Sequence, residues 1–162
     1  MKITSQEEYG LRILLRIAKC PDKDGMTIQA LAAAEGLSIP YVAKLTRMLR
    51  MEGLINSTPG NKGGYILARP AELINVNQVL KILGGSLFEK SFCNDYSGIL
   101  KLCTNSVDCS IRSLWQMIQV NIDQLLDNIS LRDLISSETK SDQMLSAIVE
   151  KNARAFLTSG SG

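Results

Sequence analysis

The sequence predicts a mainly α-helical fold with one small β-hairpin, and three observations support this prediction. First, apolar residues recur at helical spacing in several segments that Gly, Pro and Asp separate. Second, two short β-rich runs flank a glycine-rich tip at residues 59–64. Third, apolar residues between positions 107 and 129 repeat every three or four residues, as in a long helix that packs along a partner.

The first helix is predicted to begin after Thr4 or Ser5, because a hydroxyl can cap the backbone N–H groups at a helix N-terminus. We expect it to end near Cys20, before Pro21, since proline cannot continue a helix. Cys20 is interpreted as a small core residue. The apolar positions of this helix are Leu11, Leu14, Leu15 and Ala18.

A short helix, a glycine turn and a longer helix follow. The short helix is predicted over residues 28–34 with Thr27 as its cap, and Gly36 can adopt the left-handed conformation of a tight turn. The longer helix begins after Ser38 and has Pro40 in its first turn, where the missing N–H costs nothing. Its predicted inner face consists of Val42, Leu45, Leu49 and Met48.

Two β-rich runs, residues 54–57 and 65–67, complete this N-terminal unit as a hairpin. A helix, a short helix, a glycine turn, a longer helix and a hairpin in this order predict a winged helix-turn-helix. The predicted fold class is therefore mainly α with a small hairpin wing, followed by a long dimerisation helix.

Basic residues are concentrated in the second part of this unit, where residues 38–69 contain five Lys or Arg and one Glu. Such a surplus is typical of an element that contacts nucleic acid, and the second helix of a helix-turn-helix enters the major groove. The residues predicted to contact double-stranded DNA are Ser38, Tyr41, Lys44, Arg47, Arg50, Asn61 and Lys62. A solvated helix face, or a winged helix that binds protein, is the alternative.

A fourth helix is predicted over residues 75–83, an irregular segment over 84–108 and a long helix over 107–128. A short helix at 131–135 and a weakly amphipathic one at 141–157 follow. The predicted dimer contacts of the long helix are Ile111, Trp115, Ile118, Ile122 and Leu125. The alternative is that this helix packs against its own domain.

These elements divide the chain into four predicted parts. They are a DNA-binding region at residues 1–70, a connecting helix and cysteine loop at 71–105, a dimerisation helix with a short following helix at 106–137, and a tail at 138–162.

Three of the four cysteines lie close together, just before or at the start of the long helix: Cys93, Cys103 and Cys109. Thiolates near a helix N-terminus are favoured by the helix dipole. Three soft ligands on an irregular segment suit an iron–sulfur cluster or zinc. A set of unpaired thiols without a metal is the third interpretation.

Composition excludes several function classes. The chain has no histidine, which removes Ser-His-Asp sites and every His-ligated metal site. It also lacks a CxxC pair and a phosphate-binding glycine loop, so we expect neither an enzyme nor a small-molecule substrate. No apolar run has the length of about 18 residues that a membrane span needs, and the N-terminus does not look like a secretion signal. A cytoplasmic protein is expected.

Taken together, six segments resemble the Rrf-two family of bacterial transcription regulators, which includes iron–sulfur and nitric-oxide sensors of the IscR and NsrR type. The segments are MKIT (1–4), YGLR (9–12), LSIPYVAKL (37–45), LRMEGLI (49–55), GNKGGYIL (60–67) and CSIRSLW (109–115). The resemblance spans roughly residues 1–137. It implies a homodimer on a palindromic operator, with an iron–sulfur cluster (2Fe–2S, or 4Fe–4S as the alternative) that sets DNA affinity.

The resemblance also points to Glu8 as a fourth cluster ligand, because some relatives supply a carboxylate from the first helix of the partner subunit. Glu7 and solvent are the competing candidates, and a first-turn acid that interacts with the helix dipole is the plainer interpretation. Carboxylate is a harder ligand than thiolate, so such a cluster would be labile.

The chain departs from the family pattern at three places. Nine residues separate Cys93 from Cys103, more than is usual in the family, and Pro59 stands where many members have arginine. Arg112 stands where some members have a histidine, and a guanidinium cannot ligate iron. A cluster-free regulator that senses oxidants through its thiols or binds a protein partner, and a zinc-bound interaction module, are therefore the alternatives.

Overall fold

The computed structural model describes residues 3–59, 63–89, 92–95, 99, 103, 105 and 107–159. Within these residues the fold is mainly helical with one two-stranded antiparallel sheet, which confirms the predicted class. No helix among them is long and apolar enough to cross a membrane. The elements are α1 (Ser5–Lys19), α2 (Ile28–Glu35), α3 (Ile39–Met51), β1 (Ile55–Ser57), β2 (Tyr65–Leu67), a 3₁₀ turn (Ala71–Leu73), α4 (Val76–Gly84), α5 (Phe92–Asp95), α6 (Ser110–Leu126), α7 (Leu131–Leu134) and α8 (Glu138–Ser159).

The helix-turn-helix is fixed by local caps. Thr4 caps α1, and its backbone N–H donates to the Glu7 carboxylate at 2.8 Å. Thr27 caps α2 by accepting a hydrogen bond from the Ala30 N–H at 3.1 Å, as predicted. Gly36 ends α2 with φ 66°, the left-handed conformation that the turn into α3 requires.

The hairpin pairs Ile55 with Leu67 and Ser57 with Tyr65. Its base is attached to the loop before α2, because Met26 and Tyr65 exchange two backbone hydrogen bonds at 3.1 and 2.9 Å. Gly25, at φ 72°, lies directly against the Tyr65 carbonyl, where a Cβ has no room. The wing is thereby held at a fixed position beside the helix-turn-helix.

The hydrophobic core lies between α1, α2, α3 and α4, and the return of α7 closes it. On α1 the buried positions are Ile13, Leu14 and Ile17, whereas the predicted Leu11, Leu15 and Ala18 only pack partly against the core. The fully buried side chains are Ile13, Leu14, Leu31, Val42, Leu45, Leu49, Leu54, Ile55, Ile74, Val79 and Leu131.

The C-terminal half differs from the prediction at its element ends. The long helix was predicted over residues 107–128, but α6 begins at Ser110 because the Cys109 sulfur caps it, accepting from the Arg112 N–H at 3.4 Å. The short α5 and the 3₁₀ turn were not predicted, and α8 is longer than the predicted 141–157. The four-part domain division stays a prediction.

The end of α6 is tied back to the N-terminal unit. The Val76 N–H donates to the Ile129 carbonyl at 2.9 Å, and the Leu131 N–H donates to the Ile74 carbonyl at 2.8 Å. Leu131 is fully buried in the core. The long helix is therefore anchored at its C-terminal end. Its N-terminal end follows residues 85–109, which we call the cysteine segment.

Candidate nucleic-acid interface and cysteine site

The exposed side of α3 carries the predicted DNA-contacting residues. Val42, Leu45 and Leu49 are fully buried on the opposite side, which fixes the rotation of the helix about its axis. The N-cap residue Ser38 and three cations are exposed, and Tyr41 is half-buried. The exposed cations on this side are Lys44, Arg47 and Arg50.

The first turns of α1 lie against the N-terminal half of α3. The rings of Tyr9 and Tyr41 meet edge to face with centroids 6.2 Å apart. The Tyr41 hydroxyl donates to the Ser5 hydroxyl at 3.5 Å, and the Lys44 ammonium donates to Gln6 Oε1 at 2.9 Å. Sequence reasoning did not predict these contacts of Ser5, Gln6 and Tyr9, because their partners on α3 lie more than 30 positions away in the chain.

A buried carboxylate holds two arginines beside this surface. The Glu35 side chain is 2% exposed and pairs with Arg12 at 2.6 Å and with Arg16 at 2.5 Å. Arg12 also lies over the Tyr9 ring, 5.5 Å from its centroid, and 3.8 Å from Glu8. The ion pairs of Glu35 with Arg12 and Arg16 therefore connect α1 to the end of α2.

The predicted wing-tip contacts, Asn61 and Lys62, lie outside the described residues. The strands below the tip are described. There the Thr58 hydroxyl accepts from the Gly64 N–H at 2.8 Å and donates to the Asp24 carbonyl at 2.8 Å.

The three predicted cysteine ligands are half-buried, and the Cys109 sulfur accepts from the Arg112 N–H at 3.4 Å. A hydrogen bond to Cys93 raises the pKa of Arg112, although loss of solvation opposes this. The charges of Cys109 and Cys103 raise the pKa further. Arg112 also donates to the Asn105 carbonyl at 3.1 Å, so it connects the irregular segment to the first turn of α6.

The cysteines are not drawn together into a metal-ligand set. Among the described residues no group of three or more Cys, Asp, Glu or His side chains is close enough to hold a metal ion. The predicted fourth ligand, Glu8, is 57% exposed and contacts Arg12 of its own chain. Three thiols are nevertheless the side chains that hold iron–sulfur clusters in proteins, so the chemistry of the donor set suits such a cluster.

The cysteine segment is connected to α6 and α4 by a polar network that the sequence did not reveal. The Phe88 N–H donates to Gln119 Oε1 at 3.0 Å, and Gln119 Nε2 donates to the Asp123 carboxylate at 2.9 Å. Asp123 also accepts from Asn77, at 3.0 Å, and from Lys81, at 2.8 Å. These partners lie 42 to 46 positions from Asp123, so no local pattern marks them.

Burial of the Asp123 carboxylate acts to raise its pKa. Hydrogen bonds from Lys81, Asn77 and Gln119 outweigh burial, and the pKa of Asp123 is lowered below its usual value. The charged form is therefore the one that the fold stabilises.

The predicted dimer contacts lie on α6, a helix that buries little of its surface against its own chain. None of the residues of α6, all of which the structure describes, is buried. Ile118, Ile122 and Leu125 are half-buried, while Ile111 is 61% and Trp115 is 36% exposed. Further exposed apolar residues of this helix are Leu114, Met117 and Val120.

Comparison with known proteins decides the family. The Rrf2 family model, described as an iron-dependent transcriptional regulator, matches residues 3–137. This chain belongs to the Rrf2 family. The resemblance predicted from the sequence is confirmed, and the relatives of this Rrf2 regulator are transcription regulators, not enzymes.

Two relatives and two solved structures illustrate the match. Protein rrf2 of Nitratidesulfovibrio vulgaris is 33% identical over 135 residues, covering 83% of this chain and 87% of that protein. IscR of Sodalis glossinidius is 29% identical over 138 residues, covering 85% and 81%. The structure of T. potens IscR matches with a TM-score of 0.63 and 29% identity over 83% of this chain and 86% of that one. CymR, the global cysteine regulator of B. subtilis, matches with a TM-score of 0.63 and 28% identity over 83% and 96%.

Proposed function

We propose that this Rrf2-family regulator is a homodimer that binds a palindromic DNA operator, and that an iron–sulfur cluster held by Cys93, Cys103 and Cys109 sets its operator affinity. The observation that carries the proposal is the position of the cysteines. Cys109 caps α6 and Cys93 interacts with Arg112 in the first turn of this helix, of which no residue is buried in its own chain.

The DNA-binding part of the proposal rests on the exposed side of α3. Its inner side is fully buried, so Lys44, Arg47 and Arg50 are presented outward on a rigid helix. Cations on one side of a helix suit the phosphates and guanine edges of a major groove. Asn61 and Lys62, at the wing tip, are proposed to contact the adjacent minor groove or its flanking phosphates.

The dimer part rests on α6. A helix with apolar residues at Ile111, Trp115 and Ile118 on one side, and with no residue buried in its own chain, is expected to pack against a second copy. Two DNA-reading helices in such a dimer would bind half-sites about one helical turn of DNA apart.

The cluster part rests on the chemistry of the thiols. Cys93, Cys103 and Cys109 would hold the cluster, with Glu8 of the partner subunit as the proposed fourth ligand. When bound, an iron–sulfur cluster supplies an oxidant-sensitive link between its ligands. Because Cys109 caps α6 and Cys93 lies on α5, a link between them would fix the cysteine segment to the start of the dimer helix.

The DNA-binding part is tested with a duplex selected by the wild-type chain from a random-sequence pool. We expect Lys44→Ala with Arg47→Ala to abolish binding to this duplex, because both charged contacts are lost while the helix stays folded. The matched control is Lys140→Ala with Lys151→Ala on α8, which removes the same charge elsewhere. Unchanged affinity in the α3 variant, at the circular-dichroism signal of wild type, would refute the assignment.

The cluster part is tested by anaerobic purification, an absorption spectrum and analysis for iron and sulfide. Wild type and Cys20→Ser are expected to be coloured and to contain both elements, whereas Cys103→Ser is expected to lose them. Cys20 is the matched control because it lies at the end of α1, outside the cysteine segment. A colourless wild-type chain, even after reconstitution, would refute this part.

A second candidate function is a cluster-free regulator that senses oxidants through the same thiols. It is favoured by the absence of a closed ligand set among the described residues and by the contact of Arg112 with Cys93. A structural match is an oxidised form of Staphylococcus aureus CymR, with a TM-score of 0.63 and 29% identity over 84% of this chain and 97% of that one. Oxidant-dependent DNA binding by iron-free protein would support this candidate.

A further inference from the structure

The start of α1 lies between the exposed side of α3 and the C-terminal end of α4. Gly10 of α1 is buried against Leu83 of α4, and Gly84 lies directly against the Glu7 side chain. A Cβ at either glycine would collide with these neighbours, so the two helices are in close contact. Because such packing leaves little free volume, a shift at the end of α4 is transmitted to the start of α1.

Gln6 connects these elements through the two ends of one amide. Its Nε2 donates to the Leu83 carbonyl, in the last turn of α4. Its Oε1 accepts from the Lys44 ammonium of α3 at 2.9 Å. A last-turn carbonyl has no partner within its own helix, so Gln6 satisfies it from outside.

The end of α4 leads directly into the cysteine segment. Leu83 and Cys93 are ten positions apart, and Gly85 ends the helix at φ 78°. Between them, the Phe88 N–H is held by Gln119 of α6, and its ring lies 5.3 Å from the Phe92 ring. Cys93 follows Phe92 on α5. A rearrangement of the cysteines therefore acts on a short, anchored connection to Leu83.

We propose that Gln6 is a positioning residue that couples the cysteine segment to the DNA-facing lysine Lys44, an inference that rests on the proposed function. When the cysteines change state, the Leu83 carbonyl and the start of α1 shift together relative to α3. Because the Gln6 amide donates to that carbonyl and accepts from Lys44, the Lys44 ammonium moves with it. Neither an aliphatic side chain nor a carboxylate can make both hydrogen bonds.

The test compares wild type, Gln6→Leu and Gln6→Glu with Gln78→Leu, a matched glutamine on α4 whose side chain accepts from Arg69 at 2.7 Å. The dissociation constant for the selected duplex is measured with cluster-free and with cluster-loaded protein. In wild type and Gln78→Leu the two constants are expected to differ by about fivefold or more. In both Gln6 variants the difference is expected to fall below about twofold, at unchanged melting temperature. If Gln6→Leu folds poorly, the comparison is made with Gln6→Glu instead.

A second measurement uses cluster-free protein alone. Gln6→Leu, Lys44→Ala and the double variant form a double-mutant cycle on duplex affinity. We expect the effect of Gln6→Leu to disappear when Lys44 is already alanine, because the amide acts through that ammonium. Additive effects would overturn the proposal.

The outcomes separate the two proposals. If the wild-type chain binds the duplex equally with and without iron, the proposed function and this inference both fail. If wild type responds and Gln6→Leu responds to the same extent, the proposed function stands and the role of Gln6 is overturned.

Discussion

The N-terminal unit and the long helix differ in how they bury apolar surface. In the helix-turn-helix, α1 to α4 share one core whose central side chains are fully buried, and the wing is pinned to it by backbone hydrogen bonds. In α6, no residue of the described helix is buried, although Ile111, Trp115 and Met117 are large and apolar. The apolar surface of the first region is covered within one chain. The second region exposes apolar area of a kind that soluble proteins usually cover.

This difference in burial indicates which part of the regulator can respond to a signal. A closely packed core resists small displacements, so the DNA-facing side of α3 moves as a rigid unit. Among the described residues, α6 is held to that unit mainly by the Asp123 network and by the backbone hydrogen bonds at Ile129 and Leu131. Control of DNA binding is therefore expected to act on the placement of the two regions and on side chains at the surface of the N-terminal unit, such as Gln6 and Lys44, and not on its core.

The largest expected effect is on the core. Leu45→Ala empties a fully buried position under the DNA-facing side of α3 and is expected to lower the free energy of unfolding by about 2–5 kcal/mol. Urea denaturation monitored by circular dichroism measures it. The matched control, Met117→Ala on α6, is expected to change the unfolding of the N-terminal unit very little. Equal losses of unfolding free energy in both variants would contradict the difference in burial between the two regions.

The second largest effect is expected on dimer association. Trp115→Ala is expected to raise the dimer dissociation constant by about 30-fold or more, since aromatic residues at the centre of an interface often contribute 2 kcal/mol or more. Sedimentation equilibrium measures this constant. Val149→Ala on α8, an apolar residue that is 50% exposed, serves as control and is expected to leave it unchanged. A Trp115→Ala protein that dimerises as wild type does would place the interface elsewhere.

The smallest effect is at the junction between the two regions. Asp123→Asn removes the charge that Lys81 and Asn77 stabilise, so we expect a loss of about 1 kcal/mol in unfolding free energy at neutral pH. The folded-state pKa of Asp123 is lowered, so its contribution is fully present above the unfolded pKa of about 3.9 and is lost as pH falls through the lower folded value. The wild type and the variant should therefore converge in acid.

Denaturation at several pH values between neutral and about 3 measures this convergence. Asp142→Asn on α8, an exposed carboxylate, is the control and should follow wild type throughout. A difference between wild type and Asp123→Asn that stays constant with pH would show that the charge of Asp123 does not stabilise the junction.

The sequence predicted the elements whose signals are local. Thr27 and Gly36 mark the ends of α2 through side-chain chemistry and a positive φ, and the apolar spacing of Val42, Leu45 and Leu49 predicted the buried side of α3. The hairpin was also predicted, from its glycine-rich tip. These features depend on neighbours within a few residues and are therefore readable from one sequence.

The contacts that connect the regions could not be predicted. Gln6 meets Lys44 from 38 positions away, and Asn77 meets Asp123 from 46 positions away. Nothing in the sequence near either residue indicates its partner. The start of α6 was also wrong, because a cysteine sulfur rather than a hydroxyl or carboxylate caps it. Arg112 was interpreted only as unable to bind iron, whereas in the structure its N–H donates to the Cys109 sulfur and its side chain interacts with Cys93.

Native mass spectrometry of protein purified without oxygen tests the central claim most directly, because one spectrum reports both chain number and bound inorganic mass. We expect two chains carrying the added mass of iron and sulfide, and loss of that mass in Cys103→Ser. A single bare chain, at concentrations where the selected duplex is bound, would contradict it.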